Sequence, residues 1–250
     1  MPTAEPVWRL ISHAVQALAD LCLPRLCCGC GDRILERGRV LCVACERDIT
    51  PLTRPVCPSC GQANADYAED ARCPDCPPGE LWFRSVRSSV VFDGVAAVVV
   101  KRLKYSGREE FAPFMAGYML STLAEEFCGQ SFDLVIPVPL HRSREGDRGF
   151  NQSALLAGEI AEATGMRWDA LALRRVRPTS SQTRLPRERR ADNIRGAFAV
   201  ADTHRVGGRR ILLVDDVCTT GATLNECARV LRAAGADSVT CLTFARTPRL

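Results

Sequence analysis

The chain has 250 residues, of which 46% are hydrophobic and 25% are charged, and its formal net charge is +4. This composition is that of an ordinary globular protein and excludes a disordered chain, a collagen and a coiled-coil rod. The sequence holds no run of about 18 uncharged apolar residues, so we expect no membrane insertion. The apolar run at residues 11–23 contains polar interruptions and lacks a secretory cleavage site, which favours a cytoplasmic protein.

Cysteines are concentrated in the first third of the chain. Ten of the 14 lie between Cys22 and Cys76, and eight of these form four C-x-x-C pairs separated by 11, 11 and 12 residues. Two thiolates at this spacing can bind one Zn²⁺ together, and two such pairs complete a tetrahedral site. The four pairs therefore predict two structural zinc ions, with a disulfide framework as the less favoured alternative. The predicted ligands are Cys27, Cys30, Cys42, Cys45, Cys57, Cys60, Cys73 and Cys76.

The spacing leaves open how the four pairs combine. Sequential pairing gives two zinc ribbons, whereas cross-braced pairing gives a RING-like unit. We favour sequential pairing because residues 33–40 resemble a short hairpin that precedes the second pair. Cys28 is an alternative to Cys27, which has the two-residue spacing to Cys30. About 55 residues supply too little apolar surface for a good core, so we expect the metal to be needed for folding.

The sequence changes character near residue 80, after Pro77-Pro78-Gly79. We predict a first domain at residues 1–80, with an N-terminal helix and a double zinc ribbon, and a second domain at residues 81–250. In the second domain, apolar runs alternate with amphipathic stretches, as in an α/β fold with a parallel sheet. The predicted strands are 86–92, 134–138, 193–200, 211–214 and 239–244, and the predicted helices are 95–103, 110–127, 153–164 and 222–234.

The segment 211–223 carries the most specific pattern of polar residues. An apolar strand is followed by two carboxylates, Asp215 and Asp216, and then by a threonine-rich loop with Gly221 that leads into a helix. The N–H groups and the dipole at a helix N-terminus bind phosphate well, and a glycine lets the ligand approach the backbone closely. Carboxylates beside a phosphate are suited to sugar hydroxyls or Mg²⁺. The segment therefore predicts a site for a phosphorylated ribose, and it lacks the lysine of a Walker loop.

This segment resembles the phosphoribosyl diphosphate (PRPP) signature of type I phosphoribosyltransferases. The sequences Ile-Pro-Val-Pro-Leu-His at 136–141, Arg-Gly-Phe-Asn-Gln at 148–152 and Thr-Ser-Ser-Gln-Thr at 179–183 resemble the ComF family of bacteria, as does the N-terminal cysteine-rich module. The resemblance covers nearly the whole chain. It implies a type I phosphoribosyltransferase-like parallel sheet flanked by helices, preceded by the double zinc ribbon. The family is linked to DNA uptake in natural competence, which implies single-stranded DNA and competence proteins as partners.

The resemblance also implies roles for individual residues, with PRPP as substrate and Mg²⁺ as cofactor. Asp215 and Asp216 are the implied catalytic residues, which contact the ribose hydroxyls. The implied PRPP-binding set comprises Asp215, Asp216, Val217, Cys218, Thr219, Thr220, Gly221, Ala222 and Thr223, together with Pro139, Leu140 and Arg142 at the pyrophosphate. The implied flexible loop spans residues 174–195 and includes Gln182, Thr183, Arg187 and Arg190. Ala222 departs from the pattern, since many phosphoribosyltransferases have a second glycine there.

Two features of the sequence have more than one interpretation. Asn151 can cap a helix or contact the ligand. Residues 173–210 hold 11 arginines against three acidic residues. The part of this cluster from Arg174 to Arg195 can be a solvated loop, a phosphate-binding loop or a surface for single-stranded nucleic acid, and we favour phosphate binding. With no aromatic residue between Trp168 and Phe198, DNA binding there would be electrostatic and sensitive to salt. Two functions follow as hypotheses: Mg²⁺-dependent transfer of 5-phosphoribosyl to an unknown acceptor, or a non-catalytic module that binds PRPP and handles DNA.

Overall fold

The structure is a computed structural model that describes residues 25–36, 38–63, 73, 76–77, 79–105, 107–141, 145–146, 148–178 and 193–248. Several predicted features lie outside these residues: the N-terminal helix, Arg142, and the loop residues Gln182, Thr183, Arg187 and Arg190.

The described residues form helices and strands in alternation. The helices are α1 (Val43–Arg47), α2 (Gly94–Tyr105), α3 (Phe111–Glu126), α4 (Gln152–Thr164) and α5 (Ala222–Ala233). The strands are β1 (Val86–Val91), β2 (Leu134–Pro137), β3 (Leu173–Arg175), β4 (Phe198–Val200), β5 (Arg210–Cys218) and β6 (Ser238–Arg246). Within the described part of the chain, none of these helices combines the length and the apolar character that crossing a bilayer requires.

A sheet of four parallel strands, in the order β1-β6-β5-β2, forms the centre of the fold. The two middle strands are buried on both faces, which explains their continuous apolar sequences. On one face, α5 packs against Ile211 and Leu213 through Leu224 and neighbouring side chains. On the other face, α3 packs against the sheet, and the ring of Tyr118 lies 6.0 Å from that of Phe244. The predicted parallel sheet flanked by helices is confirmed.

The central strand β5 is longer than the sequence predicts. The prediction ended the strand at residue 214 and placed the two acidic residues beyond it. In the structure the ladder with β6 continues through Asp215, which pairs with Thr243, to Cys218, which pairs with Arg246. The backbone of the acidic pair is therefore fixed by the sheet, and three residues, 219–221, connect β5 to α5.

The predicted strand at residues 193–200 is also corrected. Asn193 and Ile194 form a helical turn, and only Phe198–Val200 is extended. It pairs antiparallel with Leu173–Arg175, a strand that the sequence analysis did not predict. Strands of three residues are too short for a periodic pattern of hydrophobic residues.

Contacts divide the chain into two compact units, residues 1–48 and residues 49–250. The first two C-x-x-C pairs belong to the first unit, and the last two belong to the second unit together with the sheet. The domain boundary near residue 80 marks a change in sequence character and stays a prediction.

Candidate active site and metal centres

The eight predicted cysteine ligands come together in two groups. In the first unit, the sulfurs of Cys27, Cys30, Cys42 and Cys45 all lie within 4.8 Å of one another, and in the second unit the same holds for Cys57, Cys60, Cys73 and Cys76. The grouping is the sequential one, and Cys27 rather than Cys28 belongs to the first group. None of the described cysteines forms a disulfide.

The sulfur positions fit tetrahedral zinc. With Zn–S bonds of about 2.3 Å, the sulfurs of a tetrahedral site lie about 3.8 Å apart. The Sγ atoms of Cys30 and Cys42 are 3.7 Å apart, and those of Cys57 and Cys76 are 3.8 Å apart. The Sγ atoms of Cys60 and Cys73 are somewhat closer, at 3.3 Å. Four sulfurs leave no open position for a substrate, so a metal in either site is structural.

The two sites are built on the same backbone turn. In the first, the N–H of Cys27 donates to the carbonyl of Asp32 (2.7 Å) and the N–H of Gly31 donates to the carbonyl of Cys27 (2.9 Å). In the second, the N–H of Cys57 donates to the carbonyl of Gln62 (2.9 Å) and the N–H of Gly61 to that of Cys57 (2.9 Å). Although burial opposes ionisation, backbone N–H groups lower the pKa of Cys27 and of Cys57 to about 6, whereas burial raises the pKa of Cys45 and of Cys60.

The two acidic residues of β5 lie in a polar cluster near the carboxyl-terminal edge of the sheet. Asp215 is 9% exposed and Asp216 is 3% exposed. The Ser153 hydroxyl donates a hydrogen bond to Oδ1 of Asp215 (2.7 Å), and Nε2 of Gln152 donates to Oδ1 of Asp216 (3.4 Å). The ammonium group of Lys104 forms an ion pair with Oδ2 of Asp216. The cluster therefore joins α2, α4 and β5 at the edge where open α/β sheets bind ligands.

The two carboxylates differ in their protonation. Burial, with the adjacent charge of Asp216 adding to it, raises the pKa of Asp215 to about 7. Burial opposes the charge of Asp216 as well, but the ion pair with Lys104 outweighs it and lowers the pKa of Asp216. Near neutral pH, the cluster therefore contains one ionised carboxylate and one that is partly protonated. Hydroxyl donors from a sugar would favour the ionised form of both.

A short loop joins the acidic pair to the N-terminus of α5. Gly221 is the N-cap residue and has a φ of +77°, the left-handed region in which a side chain is strained. The hydroxyl of Thr220 accepts a hydrogen bond from the N–H of Ala222 (3.4 Å). The first N–H groups of a helix have no acceptors within it, so they are suited to an anion. Val217, Thr219, Thr220 and Thr223 are half-buried, whereas Cys218 is buried, and burial raises its pKa.

The proline-containing loop after β2 lies beside the acidic strand. The N–H of Val138 donates to the carbonyl of Val214 (2.9 Å). The start of the loop therefore runs alongside β5. Pro139 is buried and Leu140 is half-buried. Asn151 caps α4 through the N–H of Ser153 (3.0 Å), and its Nδ2 donates to the carbonyl of Val138 (3.1 Å). Asn151 is thus a helix cap that also fixes this loop.

The base of the predicted flexible loop is closed by an arginine. Nη2 of Arg177 donates to the carbonyls of Asn193 (2.9 Å) and Arg195 (2.8 Å). The two ends of segment 178–192 are therefore joined at the surface of the domain, while residues 179–192 lie outside the described part of the chain.

Sequence reasoning missed two residues at the site. Ser153 hydrogen bonds to Asp215 from the first turn of α4, and the only hint in the sequence is its position directly after the Arg-Gly-Phe-Asn-Gln motif. Arg246, at the end of β6, contacts Cys218, the residue that precedes the loop at 219–221. An arginine close to the end of the chain carries no signal of such a contact.

These features define a class of protein, a phosphoribosyltransferase-like domain that carries a double zinc ribbon. The family model of the phosphoribosyl transferase domain matches residues 151–249, and that of the double zinc ribbon domain matches residues 18–77. Together with the two cysteine groups, these matches support structural zinc and confirm the predicted fold class.

Relatives that align with most of this chain identify the family within this class. The DNA utilization protein YhgH of Salmonella typhimurium is 33% identical over 231 residues, which cover 91% of this chain and 99% of the relative. Competence protein F of Haemophilus influenzae is 28% identical over 225 residues, 88% of this chain and 96% of the relative. Competence protein ComFC of Bacillus subtilis is 29% identical over 226 residues, 86% and 87% of the two chains. The chain belongs to the ComF family, as its motifs predict.

Proposed function

We propose that the protein binds PRPP together with Mg²⁺ and transfers the 5-phosphoribosyl group to an acceptor. The observation that carries the proposal is the order of groups along β5 and α5. Two buried carboxylates, Asp215 and Asp216, are followed within one short loop by the N-terminus of a helix. This order suits a ligand with sugar hydroxyls next to a phosphate. The match to the phosphoribosyl transferase domain supports the same ligand.

In this proposal each part of PRPP has its own group of residues. Asp215 and Asp216 accept hydrogen bonds from the ribose hydroxyls, and residues 219–223 bind the 5-phosphate. The loop of Pro139, Leu140 and Arg142 faces the pyrophosphate. Carboxylates and phosphates are the oxygen ligands that Mg²⁺ prefers, and the bound ion would neutralise the diphosphate charge. The loop at residues 174–195, with Gln182, Thr183, Arg187 and Arg190, would close over the site and exclude water.

The reaction is a displacement at C1 of the ribose. The bond from C1 to the diphosphate oxygen breaks, and its electron pair leaves with pyrophosphate. A lone pair of the acceptor forms the new bond to C1, and the acceptor's proton is released to solvent. Arginines of the closing loop would stabilise the charge that develops on the leaving diphosphate.

A second candidate is a module that binds PRPP without turnover and handles single-stranded DNA with competence proteins in the cytoplasm. The names of the relatives, which include DNA utilization and competence proteins, favour this candidate. Arginines crowd the segment whose ends are joined by Arg177, and such a surface attracts the nucleic-acid backbone. A cytoplasmic setting also keeps the zinc-binding thiols reduced.

Calorimetry of the zinc-loaded protein with PRPP and Mg²⁺ tests the shared part of both candidates. We expect binding by the native protein and loss of at least about 100-fold in affinity when Asp215→Asn is combined with Asp216→Asn. Asp133→Asn is the matched control, because Asp133 is an exposed carboxylate before β2 that pairs with Arg210. Equal affinity of the double variant and the control would exclude the ribose role of the acidic pair.

Release of pyrophosphate separates the two candidates. Acceptor-dependent release from PRPP, assayed with bases, amines and single-stranded oligonucleotides, would establish a transferase. Binding of PRPP without release would favour the non-catalytic module.

The DNA role has its own test, the binding of a labelled single-stranded oligonucleotide measured by fluorescence anisotropy. We expect weak binding that fades from low to physiological salt, and a further loss when Arg187→Gln is combined with Arg190→Gln. Arg84→Gln with Arg209→Gln removes the same charge next to the amino ends of β1 and β5 and serves as the control. Binding that does not respond to salt would argue against an electrostatic surface.

A further inference from the structure

The second cysteine site is packed directly against the central sheet. Its four cysteines are all buried. The carbonyl of Ser59, between two of the ligands, accepts a hydrogen bond from the N–H of Val86 at the start of β1 (2.8 Å). Gly61 approaches the same strand so closely that a Cβ atom there would overlap the carbonyl oxygen of Val86. The site therefore has a fixed position relative to the strands that carry the acidic pair.

Arg246 lies between this site and the phosphate loop. It is 1% exposed, and its Nε donates to Oε1 of Gln62 (2.7 Å), two residues after the ligand Cys60. Its Nη1 lies 2.7 Å from Sγ of Cys218. Within the described residues, Nη2 has no hydrogen-bond partner and no carboxylate forms an ion pair with the guanidinium group. A buried cation of this kind needs a compensating negative charge.

The second cysteine site, to which Gln62 connects Arg246, can supply that charge. Four thiolates around one Zn²⁺ leave an excess of negative charge. Although burial opposes the charge of Arg246, interactions with Cys218 and with the ligand sulfurs of Cys60, Cys73 and Cys57 raise its pKa. The guanidinium group is thus held on one side by Gln62, in the turn that follows the ligand Cys60, and on the other side by Cys218.

The phosphate loop begins at the residue that Arg246 contacts. Cys218 is the last residue of β5 and pairs with Arg246 across the sheet. The residue after the ligand Cys76 supports the other end of the loop, because Cγ of Pro77 lies 3.2 Å from the position of a Cβ on Gly221. Asn225, in the first turn of α5, binds the same stretch of chain by accepting from the N–H of Trp82 (2.8 Å) and donating to the carbonyl of Glu80 (2.9 Å).

We propose that the second metal site supports the phosphate-binding loop at residues 218–221 from behind. Arg246 is the positioning residue that connects the metal site to this loop. The metal-binding turn holds Arg246 through Gln62, and Arg246 and Pro77 hold the two ends of the loop at residues 218–221. The proposal rests on the proposed function for the assumption that this loop binds the phosphate of PRPP. The coupling between metal and loop can be measured without PRPP.

The first test compares Arg246→Met with Arg246→Lys and with the control Arg87→Met. Arg87 also connects the second site to the sheet, through the carbonyl of Pro58 (3.0 Å), but it pairs with Glu126 rather than with the phosphate loop. We expect Arg246→Met to weaken PRPP binding about tenfold and to speed amide hydrogen exchange at residues 218–224 by a similar factor. Arg246→Lys keeps the charge, so its PRPP affinity and its exchange rate should lie between those of native protein and Arg246→Met. Arg87→Met should change neither the affinity nor the exchange rate by more than about twofold.

The second test removes the metal. A full-length variant with Cys30→Ser and Cys42→Ser retains only the second site, so a chelator then acts on that site alone. We expect faster exchange at residues 218–224 after zinc removal, with recovery when zinc is restored. If removal unfolds the whole domain, as circular dichroism would reveal, the Arg246 variants decide the question.

The outcomes distinguish this proposal from the proposed function. If native protein does not bind PRPP but Arg246→Met and zinc removal both speed exchange in the loop, the coupling stands and the proposed ligand is wrong. If both changes leave exchange at residues 218–224 and PRPP affinity within about twofold of native, the coupling is wrong, whatever the ligand.

Discussion

The two cysteine sites share a local structure and differ in their surroundings. The first C-x-x-C turn of each site has the same backbone hydrogen bonds, and each site groups four sulfurs within 4.8 Å. In the first site, Cys30 is exposed and Cys42 is half-buried, and the site belongs to the unit of residues 1–48. In the second, all four cysteines are buried, and the site belongs to the unit that contains the sheet.

This difference shows that one motif can serve two structural roles in a single chain. The first site lies in the unit of residues 1–48, where Leu41 is buried and its Cδ2 lies 3.5 Å from the position of a Cβ on Gly29. The second site is integrated into a larger domain, because Gln62 and Arg246 connect it to the end of β5. The spacing between the two C-x-x-C pairs is nearly the same in the two sites, 11 and 12 residues, so the difference in role comes mainly from packing.

The largest expected difference between the sites is in thermal stability. Cys60→Ser with Cys73→Ser should lower the melting temperature of the unit at residues 49–250 by about 10 °C or more. A structural metal contributes several kcal/mol, and about 1 kcal/mol shifts the melting temperature of a domain this size by about 2–4 °C. Cys30→Ser with Cys42→Ser should shift the same transition by less than about 2 °C. Calorimetric scans, with zinc analysis to verify loss of one ion in each variant, measure both.

Equal shifts in the two variants would contradict the distinction between the sites. If neither variant contained less zinc than native protein, the substituted cysteines would not be zinc ligands.

Two glycines at equivalent positions of the motif provide a finer comparison. Gly31 has a φ of +83°, and among the described residues, its chain neighbours aside, no atom lies within 4 Å of the point that a Cβ would occupy. Gly61 has a φ of +70° and faces the carbonyl of Val86. Gly31→Ala should therefore cost only the strain of a left-handed residue, about 1–2 kcal/mol. Gly61→Ala adds a clash with β1 and should cost about 3 kcal/mol or more. The urea concentration at which each site releases zinc reports the two costs.

Similar losses for the two alanine variants would mean that the second site can move away from β1. The rigid connection to the phosphate loop would then be excluded as well.

The contrast between the sites also marks the limit of what the sequence predicts. The strands of the central sheet were predicted because buried parallel strands have continuous apolar runs, and the metal ligands because their spacing is local. The extension of β5 through Asp215 to Cys218 was missed, because two carboxylates end an apolar run and only the ladder to β6 keeps them extended. The roles of Ser153 and Arg246 depend on contacts between distant parts of the chain, which no local pattern encodes.

The rate of zinc release should differ between the sites in native protein. A chelator reaches the sulfur of Cys30 directly, whereas the four sulfurs of the second site become accessible only when the domain opens locally. We expect zinc to be released in two phases whose rates differ by at least about tenfold. The absorbance of a zinc-binding dye measures both rates. The variant with Cys30→Ser and Cys42→Ser should retain only the slow phase, and a variant that retained only the fast phase would reverse the assignment.

The smallest expected effect concerns an ion-pair cluster that belongs to the second unit. Glu126 of α3 pairs with Arg87 of β1 (2.8 Å) and with Arg54 (3.0 Å), which precedes the second site by three residues. Burial opposes the charge of Glu126, but the two arginines outweigh it and lower its pKa. The folded state therefore binds its proton less readily than the unfolded chain does. The stabilisation is complete above the ordinary glutamate pKa of about 4.5 and is lost as the pH falls below it.

Glu126→Gln should accordingly lower the free energy of unfolding by about 1 kcal/mol at pH 7, since Arg54 is largely exposed and such pairs contribute little. The difference from native protein should shrink as the pH falls below about 4.5, because the unfolded chain takes up a proton at this carboxyl before the native protein does. Glu125→Gln is the matched control, an exposed neighbour on the same helix. Urea titrations at several pH values measure the effect, and a deficit in Glu126→Gln that grew on acidification would show that the carboxylate does not stabilise this side of the second site through its charge.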